Sequence, residues 1–503
     1  MFCSISSATL DGMQVQMIEV EVDVTQGLPI FDLVGNMGGE VKEARERVKI
    51  ALKNAGIRLP NLRITVNLAP AHIRKDGTAF DVPIAVGVLG SLDCIPREGL
   101  EEFLMIGELG LDGSIKGVRG VLPITRFAKS RGIMKLLVPE VNAAEAALVE
   151  GVMVYAVNHI TQIITFLHEP ASIEPTKKAS FEVNKDDDQF LDFAGVKGQY
   201  AARRAAEIAA AGFHHLLMIG PPGSGKSMIA KRMEGIMPPL TQEESIEVTA
   251  IHSLAGKLKS GEVLIRKRSF LHPHHTITQK AMIGGGVRPL PGMVSLAHKS
   301  ILFLDELPEF SRPVIEALRQ PLEDKEVQIA RGNHNYTYPA DFMLIAAMNP
   351  CPCGHYPDRN KCNCTEYDVM KYRTKISGPI WDRLDLCCTL QNTSVDELRK
   401  DEVGEDSATI KRRVFMARSM QLERFLESPY RYNAEVQTHD LSKYCVLKPT
   451  EEQELIRIAK MKQISARSYY KTVKIARSIA DLEGCREIEI EHIREAIAYK
   501  LCE

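Results

Sequence analysis

The sequence lacks a strong net charge of either sign. Its 63 Lys and Arg residues and 65 Asp and Glu residues give a net charge of −2. A chain with this balance has no overall positive field that would attract nucleic acid, so any DNA contact would have to come from local patches. The chain also lacks the basic start and apolar stretch of a secretory signal, and any apolar run long enough to span a bilayer. We therefore expect a cytoplasmic protein with no membrane partner.

Disulfide bonds are a second expected absence. The chain has 11 cysteines, and cysteines in a chain without a secretory signal are usually reduced thiols or metal ligands. Hydrophobic residues make up 45% and charged residues 25% of the chain, as in an ordinary soluble globular protein. A length of 503 residues exceeds what one hydrophobic core supports, which predicts about two to four domains.

Four segments differ in their hydrophobic pattern, and together they predict an α/β fold. Residues 1–168 alternate strand-like runs such as "MQVQMIEVEVDV" with helical ones, which is typical of an α/β domain. Residues 169–190 are polar, contain Pro, Lys and Asp runs, and are typical of a linker. Residues 191–390 form a second α/β block, and residues 391–503 have helical spacing throughout.

A phosphate-binding loop is predicted between a strand and a helix. The stretch "LLMIGPPGSGKSMIAKRM" fits the pattern G-x-x-x-x-G-K-S in its strand–loop–helix context. The loop consists of Gly220, Pro221, Pro222, Gly223, Ser224, Gly225, Lys226 and Ser227. Glycines let backbone N–H groups curl around phosphate oxygens, and the helix N-terminus adds its positive end. We expect Lys226 to contact the β- and γ-phosphates of ATP and the Ser227 hydroxyl to bind Mg²⁺.

Two further strand ends are predicted to meet this loop. The apolar run in "SILFLDELPEF" ends in Asp305 and Glu306, and the run in "FMLIAAMNP" ends in Asn349. Ligands of parallel sheets bind where the carboxyl ends of the strands converge. We expect Asp305 to hold the Mg²⁺ hydration shell and Glu306 to orient or deprotonate the attacking water. Asn349 is expected to hydrogen-bond the γ-phosphate or that water.

A cysteine-rich loop follows the third of these strands. The stretch "NPCPCGHYPDRNKCNC" holds Cys351, Cys353, Cys362 and Cys364 in two C-x-C pairs, with His355 between them. Four sulfurs suit tetrahedral Zn²⁺ at a closed structural site, and His355 could replace one of them. The C-x-C spacing is tighter than the commoner C-x₂-C, so reduced cysteines in an ordinary loop are the alternative. We expect a structural zinc site that stiffens the loop.

Nine stretches in one order resemble a known family. They are "VEVDVTQGLPIFDLVG", "RITVNLAPAHIRKDGTAFDVPIA", "DFAGVKGQ", "AAAGFHHLLMIGPPGSGKS", "PGMVSLAHKSILFLDELPEF", "RQPLEDKEVQIAR", "MNPCPCG", "YRTKISGPIWDRLDL" and "IARSIADLEG". Over nearly the whole chain they resemble the magnesium-chelatase-like AAA+ ATPases of the ComM/YifB family. The resemblance implies an N-terminal module like the Lon protease domain (ribosomal S5 domain 2-like), a AAA+ core and a C-terminal helical lid. It also implies ATP, Mg²⁺ and a homo-hexameric ring.

The same resemblance implies roles for particular residues. Arg383 is similar to an arginine finger and Arg467 to a sensor-2 arginine, both of which bring positive charge to the γ-phosphate. From the residues alone, either arginine could equally lie on the surface. Within "DFAGVKGQ", Val196 and Gln199 would lie near the adenine. Members of the family are associated with natural transformation, in which a helicase promotes branch migration, so the resemblance implies DNA as a partner.

Two stretches are predicted to contact DNA. From Lys226 to Asp305 is 305 − 226 = 79 residues, longer than a bare strand–helix–strand repeat needs. The extra length holds "HPHHTITQKAMIGGGVRPLPG", and in the family an insertion here points into the ring pore. "VQIARGNHNYTYPADF" predicts a hairpin. The phosphate-contacting candidates are Lys280, Arg288, Arg331 and His334. For any one of them, a place in a solvated loop is an equal alternative.

Two other functions fit parts of the sequence. The Lon-like module is compatible with an ATP-dependent protease, which needs a Ser nucleophile activated by a Lys. The chain has Thr78 and Ala79 where the Lon pattern has its serine, so we expect a binding or assembly module instead. The second alternative is a chelatase-like motor that remodels a partner and does not act on DNA. That system relies on partner subunits with a D-x-S-x-S motif, which this sequence does not contain.

Overall fold

The computed structural model describes residues 1–177, 190–258, 263–286, 289–331, 334–392 and 404–500. Arg288, the His334 side chain and residues 178–189 of the predicted linker lie outside what is described. Within the described ranges, no helix combines the length and the apolar character that crossing a membrane requires.

The N-terminal module is a mixed sheet with helices packed on it. Its strands are β1 (Phe2–Asp11), β2 (Gln14–Thr25), β3 (Phe31–Val34), β4 (Arg63–Ala69), β5 (Phe103–Met105), β6 (Glu108–Leu109), β7 (Ile115–Lys116), β8 (Lys135–Pro139) and β9 (Met153–Val157). Its helices are α1 (Gly39–Asn54), α2 (Asp81–Ser91), α3 (Val121–Ser130), α4 (Glu140–Ala146) and α5 (Ile160–His168). The main sheet has the order β3-β4-β2-β1-β5-β8-β9, and β6 pairs with β7.

Helix α2 is the core element of this module. Every residue of its sequence "DVPIAVGVLGS" is buried, because the helix is apolar around nearly its whole circumference. It lies close to the sheet, since a Cβ at Gly87 would meet Val22 Cγ2 at 2.6 Å. The buried Asp81 carboxylate at its start is neutralised by the Arg47 guanidinium, with N···O distances of 2.7 and 2.9 Å. The predicted α/β pattern of residues 1–168 therefore corresponds to a packed sheet and helices.

The central region of the chain is built on a parallel sheet. Its strands and hairpins are β10 (Leu216–Ile219), β11 (Phe270–Leu271), β12 (Gly284–Gly285), β13 (Leu290–Pro291), β14 (Ile301–Leu304), β15 (Glu326–Arg331), β16 (His334–Pro339), β17 (Met343–Met348) and β18 (Leu386–Thr389). Its helices are α6 (Tyr200–Gly212), α7 (Lys226–Ile236), α8 (Gln242–Ala255), α9 (Gln279–Ile283), α10 (Met293–Leu296), α11 (Arg312–Ala317), α12 (Arg319–Asp324), α13 (Glu366–Arg373) and α14 (Gly378–Trp381). The parallel order is β11-β14-β17-β10-β18.

The parallel strands are apolar along their whole length. Every residue of β10, β14 and β17 is buried, as expected when helices cover both faces of a parallel sheet. One face packs with the C-terminal helices in a single hydrophobic cluster, and the other packs with helices α9 to α14. The packed sheet therefore fixes the positions of the residues that follow each strand at its carboxyl edge.

The described C-terminal residues 404–500 are helical. The helices are α15 (Ser407–Arg424), α16 (Leu441–Tyr444), α17 (Pro449–Met461), α18 (Ala466–Leu482) and α19 (Ile490–Ala498). Helix α18 contributes the largest share of buried residues, including Val473, Ile475 and Ile479. These side chains join the same hydrophobic cluster as β10 and β17, so the C-terminal helices are continuous with the core of the central sheet.

The N-terminal module packs against helix α8 of the central region. The Gly120 N–H donates to Ser253 Oγ at 3.1 Å. Beside this hydrogen bond, Leu122 and Leu148 of the module are buried together with Ala250 of α8. We call these five residues the module contact. It joins the two regions of the chain on the side of α8, apart from the strand ends described next.

Candidate functional site

Three neighbouring strands deliver the predicted site residues to one edge of the sheet. Strand β17 lies between β14 and β10, and all three run parallel. Their carboxyl ends are therefore adjacent, and the residues that follow them, Asp305, Asn349 and Gly220, begin the loops of this edge. Ligand sites of α/β sheets form where such loops converge.

The loop between β10 and α7 has the backbone that a phosphate cradle needs. Gly223 has a φ of +79° and Gly225 a φ of +92°, a left-handed conformation that favours glycine. At Gly220 there is no space for a side chain, because a Cβ would lie 2.8 Å from the Leu390 carbonyl oxygen. Helix α7 starts at Lys226, so its free N–H groups and positive end point toward the loop.

The Lys226 ammonium lies inside this loop. It donates hydrogen bonds to the carbonyl oxygens of Gly220 at 2.6 Å and Pro221 at 2.9 Å, and to Asn349 Oδ1 at 3.2 Å. Burial lowers the pKa of Lys226, and the Asp305 and Glu306 carboxylates oppose that change. The structure thus brings Lys226 and Asn349 together at the centre of the site, where an anionic phosphate would satisfy both the charge and the donors.

Ser227 and Asp305 form a pair at the start of α7. The Ser227 hydroxyl donates to Asp305 Oδ2 at 2.6 Å. A hydroxyl oxygen and a carboxylate oxygen therefore lie close together, and both are oxygen ligands of the kind that Mg²⁺ binds. The next residue, Glu306, has a φ of +51°, and its side chain is 58% exposed. This turn directs the Asp305 carboxylate to the half-buried Ser227 and leaves the Glu306 carboxylate exposed to solvent or substrate.

Of the two predicted adenine contacts, Gln199 borders the phosphate loop. Val196 is fully buried. Gln199 has a φ of +52°, and its Nε2 donates to the Ser224 carbonyl oxygen at 3.2 Å and to that of Gln391. Both residues lie just before α6, and Gln199 connects the phosphate loop to the segment that follows β18.

Both predicted arginines lie at the opposite edge of the sheet. A cavity of about 550 Å³ opens there, and its lining includes His215, Glu323, Arg383, Asp385, Arg467 and Lys471. His215 precedes β10 and Asp385 precedes β18, which places this amino-edge cavity at the start of the strands and away from the phosphate loop. The structure therefore brings Arg383 and Arg467 together with each other and separates them from Lys226.

The amino-edge cavity holds Arg383 firmly. The Arg383 side chain is only 6% exposed and forms an ion pair with Glu323. Its Nη1 donates to the Pro379 carbonyl oxygen at 2.7 Å, and its Nε is buried with no hydrogen-bond partner among the described residues. Nearby, Lys471 Nζ lies 2.6 Å from Asp385 Oδ1. Burial would raise the pKa of Asp385, but Lys471 and the adjacent histidines hold it well below its usual range.

The predicted insertion and hairpin lie side by side. The Tyr338 hydroxyl of β16 donates to the Pro289 carbonyl oxygen of the insertion at 2.7 Å, and a Cβ at Gly284 would lie 3.0 Å from Ile329 Cδ1 of β15. Lys280 and Arg331 are both exposed. The hairpin predicted at residues 327–342 is present as β15 and β16, and the structure groups it with the insertion.

One residue near the site was not predicted. His275 of the insertion has its Nδ1 3.9 Å from Glu306 Oε2, and the His274 and His275 rings lie 4.1 Å apart. The signal was the "HPHH" run at the start of the insertion, which sequence reasoning treated only as a stretch of loop. The insertion therefore borders the exposed carboxylate of the Asp-Glu pair.

The four cysteines converge into one cluster. The Cys351 and Cys353 sulfurs are 3.3 Å apart, Cys353 and Cys362 are 3.5 Å apart, and Cys351 and Cys362 are 3.8 Å apart. With Cys364 included, all the sulfurs lie within 4.8 Å of one another. A tetrahedron of Zn–S bonds of about 2.3 Å has edges of about 3.8 Å, so the donor set fits a zinc ion. His355 contributes its backbone N–H to Cys353, which lowers the pKa of that thiol to about 6.

In the N-terminal module, Thr78 stands at the position of the protease serine, and it and the nearby Lys75 make other contacts. The Thr78 hydroxyl donates to the Glu108 carboxylate. The Lys75 side chain is fully buried, and its ammonium donates to the Pro70 carbonyl oxygen. Ala79 has no nucleophilic atom. Thr78 is thus hydrogen-bonded to an acid and not to an activating lysine.

Three family models match the chain. Residues 20–142 match "Subunit ChlI of Mg-chelatase", residues 192–398 match "Magnesium chelatase, subunit ChlI", and residues 404–500 match "Magnesium chelatase, subunit ChlI C-terminal". The matched segments include the phosphate loop, the Asp-Glu pair and the cysteine cluster.

Full-length relatives are found among curated proteins. The "Competence protein ComM" of Haemophilus influenzae is 38% identical over 501 residues, which are 97% of this chain and 95% of that protein. The "Uncharacterized protein YifB" of Escherichia coli is 38% identical over 497 residues, with the same coverage of 97% and 95%. The "Lon protease 2" of Bacillus subtilis is 27% identical over 189 residues, 34% of this chain and 33% of that protein.

Proposed function

Since this chain belongs to the ComM/YifB family of magnesium-chelatase-like AAA+ ATPases, we propose that it is an ATP-driven motor acting on DNA. Its activity would be that of a helicase that promotes branch migration in recombination or natural transformation. The observation that carries this proposal is the likeness to the competence protein ComM over 97% of the chain. ATP hydrolysis would supply the energy, and Mg²⁺ would supply charge neutralisation at the phosphates.

The roles we propose at the phosphate loop follow from its geometry. Lys226 would exchange its hydrogen bonds with loop carbonyls for bonds to the β- and γ-phosphates. Ser227 and Asp305, already paired at 2.6 Å, would hold Mg²⁺ directly and through its water shell. Glu306, the exposed acid of the pair, would take the proton of the attacking water, and Asn349 would orient that water or the γ-phosphate. Val196 and Gln199 would border the adenine.

We propose that the two arginines act on the nucleotide of a neighbouring copy. Arg383 and Arg467 line the amino-edge cavity, and the four residues of β10 separate that edge from the phosphate loop by roughly 13 Å. Such an arrangement suits a head-to-tail contact, in which the amino edge of one chain meets the carboxyl edge of the next. Repeated around an axis, this contact closes into a ring, which we take to be a homo-hexamer on the family resemblance.

DNA would run along the insertion and the hairpin. These two segments are adjacent, and Lys280 and Arg331 are exposed on them. His275 of the insertion lies near Glu306, so a movement of the insertion would reach the hydrolysis site directly. A near-neutral chain offers no general attraction for DNA, which makes these local cations the expected phosphate contacts. Arg288 and His334 stay sequence predictions.

The test of this proposal is the ATPase rate with and without DNA. We expect single-stranded or branched DNA to increase hydrolysis, with weak sequence preference, because contacts to phosphates position the DNA and carry no sequence information. Affinity should fall steeply as salt rises, since each phosphate contact releases counterions. A Lys280→Ala, Arg331→Ala double variant should lose the stimulation. The measurement is phosphate release at several salt concentrations.

A matched control separates local contacts from a general charge effect. The Lys49→Ala, Arg63→Ala double variant removes the same charge from exposed positions of the N-terminal module and should keep the stimulation. If no form of DNA altered the rate and no salt-sensitive binding appeared, the DNA proposal would fall. The family models named for magnesium chelatase would then favour an ATPase that remodels a partner and does not act on DNA.

Proteolysis is disfavoured as the function. The partial likeness to Lon protease 2 covers 34% of the chain, but Thr78 is paired with Glu108 and Ala79 has no nucleophile. Incubation with casein and ATP should therefore leave the casein intact.

A further inference from the structure

The surroundings of the cysteine cluster, as well as its sulfur positions, fit a metal site. The Tyr356 backbone N–H donates to Cys351 Sγ at 3.4 Å. Such N–H groups stabilise thiolates and fix the orientation of metal ligands. The sulfur separations of 3.3 to 3.8 Å are far from the roughly 2.05 Å of a disulfide bond.

The loop that carries the cluster has no regular secondary structure and little apolar burial. Residues 350–364 form turns and bends and contain no helix or strand. The hydrophobic cluster beneath the loop consists of Cys351, Cys362 and Val369, with Tyr356 and Cys364 against it. Small segments with so little apolar burial depend on a disulfide or a metal for a fixed conformation.

The loop touches the nucleotide site at two places. Gly354, within the cluster, approaches the phosphate loop so closely that a Cβ on it would lie 2.5 Å from Pro222 Cδ. At its start the loop follows Asn349 directly, and at its end it leads into α13. A displacement of the cysteine cluster would therefore also displace Pro222 and Asn349.

We propose that Cys351, Cys353, Cys362 and Cys364 bind one zinc ion, and that the metal-bound loop braces the phosphate loop through the contact of Gly354 with Pro222. The ion has a structural role, since four sulfurs fill its coordination and leave no position for water. Loss of the ion lets Gly354 withdraw, and the phosphate loop then loses the support of its outer face. This inference concerns the nucleotide site of the proposed function and does not depend on DNA as the substrate.

The first experiment measures the metal. Elemental analysis of the full-length parent protein is expected to find about one zinc per chain. Cys353→Ser should lower the zinc content well below that of the parent, and this exposed position spares the buried core of the cluster. The matched control is Cys94→Ser, which changes another exposed thiol and should keep the zinc. Absence of metal in the parent, or iron in place of zinc, would overturn the proposal.

The second experiment separates the brace from the metal. Gly354→Ala keeps all four sulfurs but introduces a Cβ against Pro222 at a φ of +85°. We expect this variant to retain zinc and to bind a fluorescent ATP analogue about tenfold more weakly. Gly484→Ala is the control, because Gly484 has a φ of +73° with no atom within 4 Å of the added Cβ. It carries the same backbone strain without the contact and should bind like the parent.

The outcomes distinguish this inference from the proposed function. If Gly354→Ala and the zinc-depleted Cys353→Ser bound the ATP analogue like the parent, the brace would be refuted even with zinc present. If zinc were present and both variants bound more weakly while DNA left the ATPase rate unchanged, the brace would stand and the DNA motor would fall.

Discussion

Glu306→Gln is expected to bind ATP like the parent and to hydrolyse it about two to three orders of magnitude more slowly, the usual cost of removing a general base. The amide has nearly the same shape as the carboxylate but cannot accept a proton from water. The hydrogen bonds of Lys226 and Ser227 go to other residues, and the Glu306 side chain is 58% exposed. Its replacement should therefore leave the phosphate contacts intact. The measurements are titration with a fluorescent ATP analogue and the rate of phosphate release.

Two further variants serve as comparisons for Glu306→Gln, one that should not bind ATP and one that should behave like the parent. Lys226→Ala should lose ATP binding altogether, because it removes the buried cation that spans Gly220, Pro221 and Asn349. Glu309→Gln is the matched control, since Glu309 is a neighbouring acid that pairs with Lys375 on the surface, and it should hydrolyse ATP like the parent. Parental turnover in Glu306→Gln would show that another group activates the water.

Arg383→Ala is expected to bind ATP and to hydrolyse it at least about a thousandfold more slowly, which is the lower range for loss of an arginine finger. The variant should fold, because the residue left without a partner, Glu323, is 56% exposed and water can solvate it. If the arginine acts across an interface, the turnover per chain should also rise with protein concentration. Circular dichroism confirms the fold, and Arg457→Ala, which removes an exposed arginine, serves as the control.

Mixing the two inactive variants tests the interface directly. In an equal mixture, the Arg383→Ala chains supply intact phosphate loops and the Lys226→Ala chains supply intact arginines. Each head-to-tail contact takes the loop from one chain and the arginine from the next, so about one contact in four has both parts intact. The mixture should thus recover about a quarter of the parental turnover per site. If no ratio of the two variants restored any activity, each site would have to be complete within one chain.

The elements with strong local signals could be predicted from the sequence. The run "FMLIAAMNP" gave a buried parallel strand because every residue of β17 is apolar, and the phosphate loop was evident because its glycines occur where a strand turns into a helix. Strand β11, Phe270–Leu271, was not predicted, since two residues are too few to show a period. It is defined by its pairing with β14, which is a tertiary effect.

Contacts between distant residues were beyond sequence reasoning. The ion pair of Arg383 with Glu323 spans 60 residues, and nothing in either segment marks the partner. The same holds for the shared cavity of Arg383 and Arg467, which depends on how α18 packs against the sheet. His355 was considered as a metal ligand because it lies between the cysteine pairs. The cluster contains the four sulfurs, and His355 contributes its backbone N–H.

The module contact couples the folding of the N-terminal module to that of the central region. Separation of the two would expose Leu122 and Leu148 on one piece and Ala250 on the other, and would remove the Ser253 partner of the Gly120 N–H. Exposed apolar patches of this kind cause aggregation. A protease cut in the polar stretch 169–190 should therefore leave both fragments associated in solution, and expression of either fragment alone should give an insoluble product.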